Sequence, residues 1–238
     1  MIKNKLSVLL LLAMTFISCK AGEINESPAQ PAPETASRPT SFASDDAMLD
    51  YIEKVHLNYM WDGADPTSGM AYERIHLDNN YPENDRDVVT LGGSGFGVVG
   101  LLVGIDRGFI NRSDGVARLT KIVNYLSTAD RFHGMWPHWL YGSTGKVKPF
   151  GTKDDGGDLV ESSFMMQSLL CVRQYFKDGN SSERALSDKI NTLWRGMEYD
   201  WYRNGGKNVI YWHWSPDYAW DMNFPLQGYN ECLIAYIL

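Results

Sequence analysis

The chain has 238 residues, 44% of them hydrophobic and 13% aromatic, enough to bury one sizeable core and incompatible with wholesale disorder. Its formal charge of −7 repels phosphate backbones and anionic membrane surfaces, which argues against nucleic acid as a partner. Three cysteines are too few for a disulfide scaffold.

Lys3 and Lys5 precede an apolar run from Leu6 to Ile17 that is too short to span a bilayer comfortably. The run closes in Phe16-Ile17-Ser18-Cys19, which resembles a bacterial lipobox. The resemblance implies cleavage before Cys19, lipidation of its thiol and a place on the bacterial cell envelope. An ordinary signal peptide with an incidental cysteine is the alternative. Residues 19–42 are rich in Glu, Pro, Ala, Ser and Thr with almost no large apolar side chain, the composition of a flexible tether. The folded body is expected over residues 43–238.

That body reads as all-α, with short β-hairpins in its loops. Ser44-Asp45-Asp46 can cap a first helix whose Leu49, Ile52, Val55 and Tyr59 recur at spacings of three and four. A second helix is expected over residues 95–107, with Gly108 placed to end it. A third opens at Ser113 or Asp114 and carries Leu119, Ile122, Val123 and Leu126 on one face. A fourth starts at Asp158 and runs to about Phe176, and a fifth covers residues 182–202. A sixth begins near Gln227. Gly142-Ser143-Thr144-Gly145 suits a hairpin turn. Cys171 and Cys232 sit in apolar runs and read as small buried residues. The last residues, Ile234-Ala235-Tyr236-Ile237-Leu238, have no capping glycine and no basic last turn, so the sequence reads as the N-terminal part of a larger all-α domain.

Gly95-Phe96-Gly97-Val98-Val99-Gly100 matches the dinucleotide-binding spacing, and residues 87–91 before it could be a strand. The next segment, residues 113–127, has a helical pattern and lacks the second parallel strand with its acid. These glycines are better read as letting the start of this helix come close to its neighbours or to a ligand.

Chemistry concentrates in two stretches. One runs from Phe132-His133-Gly134-Met135-Trp136-Pro137-His138-Trp139 to Asp154-Asp155-Gly156-Gly157-Asp158-Leu159-Val160-Glu161; the other from Tyr211-Trp212-His213-Trp214 to Gly228-Tyr229-Asn230-Glu231. Indole faces bordered by carboxylates and amides suit a sugar, whose C–H faces stack on rings while its hydroxyls bond to acids. Glu161 could be the proton donor of glycoside hydrolysis. It could equally close a capping box with Asp158. The Asp154–Asp158 run lacks the bidentate Glu of a calcium loop, and His133 and His138 lack zinc-pair spacing, so neither a metal nor another cofactor is expected. No Ser-His-Asp nucleophile elbow is present.

Together with Thr90-Leu91-Gly92-Gly93-Ser94-Gly95-Phe96-Gly97 and Trp212-His213-Trp214-Ser215-Pro216, these motifs occur in the order that resembles the glycoamylase-like domain, including the endo-β-1,2-glucanases of glycoside hydrolase family 144. The resemblance covers residues 46 to 238. It implies an (α/α)6 toroid, of which this chain carries the N-terminal half, and inverting hydrolysis of a neutral β-glucan, oligo- or polymeric, without contact to the membrane except through the lipid. It places Glu161 at the general acid and makes Asp85 and Asp87 catalytic or substrate contacts. Trp136, Trp139, Trp212 and Tyr229 would stack on sugar; His138, Asp155, Asp158, His213, Asn230 and Glu231 would meet hydroxyls. Two rival readings are a non-catalytic glycan-binding lipoprotein and a polysaccharide lyase, the latter disfavoured because an acidic cleft repels uronates.

Overall fold

Ser44 caps α1 (Asp45–Trp61): its hydroxyl accepts from the Ala47 N–H at 3.2 Å, and Asp45 and Asp46 complement the positive end of the helix dipole. The computed structural model describes residues 38–238, of which Pro39–Leu238 form one unit. The leader, Cys19 and the tether as far as residue 37 lie outside the described residues. Among the described residues no helix is long and apolar enough to cross a membrane.

α1 rests on α2 (Leu91–Asp106) where glycines leave room. A Cβ at Gly97 would come within 2.7 Å of Met60 Sδ, and one at Gly104 within 2.7 Å of Leu57 Cδ2. Because those glycines face the C-terminal half of α1, contact is made by Leu57, Met60 and Trp61. Leu49, Ile52, Val55 and Tyr59, expected as the buried stripe, are exposed.

α2 starts at Leu91, four residues before the expected Gly95, directly from strand β1 (Val88–Thr90). The Gly95–Gly100 pattern therefore lies inside a helix, with no phosphate-cradling loop. Gly95 marks the crossing of α2 with α4 (Leu159–Phe176). A Cβ there would lie 2.9 Å from Met165 Cα and 3.0 Å from the Phe164 carbonyl carbon, so the two backbones touch. This is the most extensive helix pair in the fold. α3 (Arg112–Thr128) buries Leu119, Ile122, Val123 and Leu126 as its periodicity predicts.

α5 (Ser181–Arg195) opens with a full capping box between Asn180 and Glu183. It ends seven residues before the expected Tyr202. Gly134, in the left-handed region at φ 82°, presses its backbone on the chain just past Gly196: a Cβ there would lie 2.6 Å from Met197 Cα. Only a 3-10 turn, Trp201–Arg203, comes after it. The last apolar run likewise forms a 3-10 helix, Glu231–Tyr236, and not the α-helix expected from Gln227. Its N–H of Ile237 bonds to Ile234 O at 3.0 Å, and it buries Cys232 and Ala235. Cys171, expected to be buried, is exposed, because Leu169 and Val172 take the inward positions of α4. Both cysteines are free thiols.

The 142–145 turn joins β2 (Trp139–Tyr141) to β3 (Val147–Lys148), and β1 completes an antiparallel β1-β2-β3 sheet. β4 (Gly157–Asp158) pairs with β5 (His213–Trp214), setting Asp158 opposite His213.

Substituting Gly95→Ala forces two backbones apart and is expected to cost about 1–3 kcal/mol. Gly100→Ala, where a Cβ meets nothing within 4 Å, is expected to stabilise by about 0.5–1 kcal/mol. Urea unfolding of the two variants checks this; equal midpoints would refute the close-approach account.

Candidate functional site

Asp158 ends β4 and caps α4, and its carboxylate is fully buried. Oδ1 accepts the Glu161 N–H at 2.9 Å, while Oδ2 accepts Trp212 Nε1–H at 3.1 Å and His138 Nδ1–H at 3.2 Å. One anion thus fixes a helix start, a loop tryptophan and a histidine from the β2 approach. A buried carboxylate persists only with such donors.

Half of the expected capping box is absent. Glu161 does not reach back to the start of its own helix; its Oε2 accepts the N–H of Gly92, on the first turn of α2, at 2.7 Å. The contact needs glycine there, because a Cβ on residue 92 would stand 2.9 Å from the Glu161 carboxyl carbon. Glu161 is half-buried. Burial foremost, then the charge of Asp158 and more weakly that of Glu231, raise its pKa, against the opposing pull of His138 and the Gly92 N–H.

Two histidines and a second buried acid complete the cluster. Burial opposes charging of His138, yet its hydrogen bond to Asp158 and the nearby carboxylates prevail and raise its pKa. Its ring stacks on Phe150 at 4.3 Å and meets Trp139 edge-on at 5.4 Å. Asp154 is pushed up to about 7, by burial first and then by the charge of Asp158. His213 Nε2 lies 3.3 Å from Asp154 Oδ2, and burial holds its pKa down. The buried His213 Nδ1 has no partner among the described residues. Trp212 stacks on His213 with the rings 13° from parallel.

The structure therefore gathers Glu161, Asp158, His138, His213, Trp139 and Trp212, and adds Gly92, Asp154 and Phe150, to which the sequence assigned no role at the site. The adjacent acids Asp154 and Asp155 look alike in sequence, and only packing buries the first; Asp155 is half-exposed, with Oδ1 buried and unpaired.

Other expected residues sit elsewhere. Trp136, expected to stack on sugar, is completely buried: its Nε1–H donates to Leu126 O at 3.0 Å and the Arg131 guanidinium covers its ring. It belongs to the core. Asp87 is bound to the N–H and hydroxyl of Ser143 in the β2–β3 turn. Asp85 faces Arg74 and His76 at 3.5 and 3.4 Å. The charges that act most on Glu161 are those of Asp158, His138 and Glu231, not these two. The Asn230 side chain accepts from Cys232 N–H and donates to Gln227 O, capping the last 3-10 helix. Tyr229 stands 90% exposed.

His138, Asp154 and Asp158 offer donor atoms within 4.8 Å of one another, a set of the kind that can hold a cation. In this structure Asp158 and His138 already bond each other, and Asp158 also accepts from Trp212 Nε1–H.

No protein-family model matches the chain. A curated relative, the exo β-1,2-glucooligosaccharide sophorohydrolase (non-reducing end) of Parabacteroides distasonis, is 44% identical over 207 residues, 86% of this chain and 28% of the relative. The solved endo-β-1,2-glucanase of Chitinophaga pinensis, a complex with sophorotriose and glucose, superposes with a TM-score of 0.80 at 65% identity, over 82% of this chain and 47% of that one. The β-1,2-glucanase of Parabacteroides distasonis superposes at 0.77 with 43% identity, over 83% and 28%. The chain thus spans about half the length of one solved relative and less of the others. Its mostly helical architecture and these identities make it a homologue of the glycoamylase-like α/α toroid proteins of the glycoside hydrolase family 144 type.

Proposed function

We propose that this chain is, or is part of, a glycoside hydrolase that cleaves a neutral β-glucan, β-1,2-linked in the first instance, with Glu161 as general acid. The observation that carries the reading is the Glu161 carboxyl: half-buried, raised in pKa, steered by the Gly92 N–H and within the electrostatic reach of Asp158 and His138, around which Trp212 and Trp139 pack. A carboxylic acid whose pKa is raised holds its proton to higher pH than a free one and can protonate a glycosidic oxygen as the bond to the anomeric carbon breaks. In an inverting reaction a second carboxylate removes a proton from the attacking water on the opposite side of the ring. Glu231, whose charge reaches Glu161, is the candidate for that role within this chain. Asp158 holds the acid's helix and the His138 ring in register. The likeness to relatives named for action on β-1,2-glucans supports the linkage. The reading includes an envelope location through a lipid on Cys19, carried by the residues around it.

Glu161→Gln keeps the shape and removes the proton, so product release from β-1,2-glucan is expected to fall about 10²–10⁴-fold. Gly92→Ala, which displaces the Glu161 carboxylate while leaving the helices folded, is expected to lose activity without losing thermal stability in proportion. Reducing-end assays on β-1,2-, β-1,3- and α-1,4-glucans decide; normal turnover by Glu161→Gln sinks the assignment.

Asp154 is raised from about 3.8 unfolded to about 7 folded. Its contribution to stability is fully present below the lower value and is lost as pH rises through the upper one. The thermal midpoint of the wild type should therefore fall, relative to Asp154→Asn, between about pH 4 and 7. Parallel curves would contradict it. Cys19→Ser is expected to abolish incorporation of labelled fatty acid in a bacterial host; undiminished labelling would remove the anchor from the proposal.

A further inference from the structure

Outside the Glu161 cluster the chain holds a second arrangement of aromatic and acidic groups. Neighbouring residues on a strand point to opposite faces, so while His213 of β5 turns to Asp154 and Asp158, Trp214 turns the other way. There it meets His133 edge-on, with ring centres 4.7 Å apart, and Trp201 at 6.0 Å. The His133 ring lies flat on Trp201, 3.5 Å between centres and 12° from parallel. One face of Trp201 is thus fully backed, yet the residue remains 41% exposed.

The support is rigid. His133 occupies the left-handed region at φ 49°, an uncommon state for a residue with a side chain, and its ring is held by Glu198 at 3.2 Å. On the far side, Asn204, Gly205 and Gly206 also have positive φ, and Arg203 pins that loop by donating to Lys207 O and Gly206 O, each at 2.9 Å. Together Glu198, Tyr199, Asp200, Trp201, Gly205 and Gly206 line an open recess of about 880 Å³. Its chemistry is an indole face, two carboxylates that each keep one free oxygen while the other meets His133 (Glu198) or Arg203 (Asp200, at 2.8 Å), and a wall of two glycines without side chains. An apolar peptide would strand the carboxylates. A neutral sugar fits, since its C–H face stacks on indole and its hydroxyls donate to carboxylates.

We propose that Trp201, flanked by Glu198 and Asp200, is a second glucan-binding platform that holds a polymeric chain away from the Glu161 cluster. The ligand class rests on the hydrolase reading; the platform itself rests on the recess. It should act on long chains and be silent for short oligosaccharides that occupy only the Glu161 region.

The test is affinity electrophoresis of the full chain in gels containing β-1,2-glucan polymer, alongside turnover of a short β-1,2-gluco-oligosaccharide. Trp201→Ala is expected to weaken polymer retention roughly five- to tenfold while leaving short-substrate turnover unchanged. Trp201→Tyr should restore most of the retention, which separates loss of the ring from loss of fold. Hydrolysis with retention unchanged in Trp201→Ala would overturn the platform and leave the hydrolase standing. Retention that depends on Trp201 without any product would support the platform and count against the hydrolase. Loss of both retention and short-substrate turnover in Trp201→Ala, unrestored by Trp201→Tyr, would mean Trp201 is structural and would also overturn it.

Discussion

Burying a carboxylate costs several kcal/mol unless donors surround it, and Asp158 is the place where this fold accepts that cost. Its two oxygens gather the start of α4, the ring of His138 and the indole of Trp212, the last two lying 20 and 54 residues from Asp158 along the chain. The β4–β5 pairing, which sets Asp158 opposite His213, serves the same anchor. Remove the anion and the loop tryptophans, the histidines and the first turn of α4 lose their common reference point. The same charge, unable to escape, raises the pKa of both Glu161 and Asp154. At this site burial is the first cause of the raised pKa values, and the anion that organises the structure is the second.

A second constraint is steric. α2 and α4 come into backbone contact at Gly95, and that closeness is what allows the Gly92 N–H to reach a carboxylate on the neighbouring helix. A glutamate three residues past an Asp cap ordinarily folds back on its own helix start. Here the neighbour's unpaired first-turn N–H, at the positive end of α2, competes for it and prevails. The outcome turns a capping residue into a projecting acid. The glycine run that mimics a nucleotide fingerprint is in fact the means of this approach.

The molecule also separates its aromatic groups by role. Trp136, with indole N–H and ring both taken by the protein, fills the core. Trp139 and Trp212 border the acidic cluster through His138 and His213. Trp201 stands on His133 with one face outward. Strand alternation at His213 and Trp214 is the hinge of that division, since one backbone segment serves two surfaces.

Much of this was legible before folding. Period and capping residues located the starts of α1 and α4 to within a residue and that of α3 to within two, and the 142–145 turn announced its hairpin, because these depend on local chemistry. The order of aromatic and acidic motifs pointed to Glu161 and to a glucan. The end of α5 at Arg195 is also local, since Gly196 forms its C-cap, although the apolar residues up to Tyr202 suggest a longer helix. Local chemistry could not tell buried Asp154 from half-exposed Asp155, core Trp136 from bordering Trp139, or a capping Glu161 from a projecting one. Each of those choices is made by what the side chain meets across the fold, and composition and spacing carry no record of it. Residue order was enough to place α1 to α4 and the start of α5 and to say which chemistry is available. Which carboxyl has its pKa raised, and where it is aimed, is settled by three-dimensional packing, because burial and the nearness of Asp158 exist only once the chain has folded.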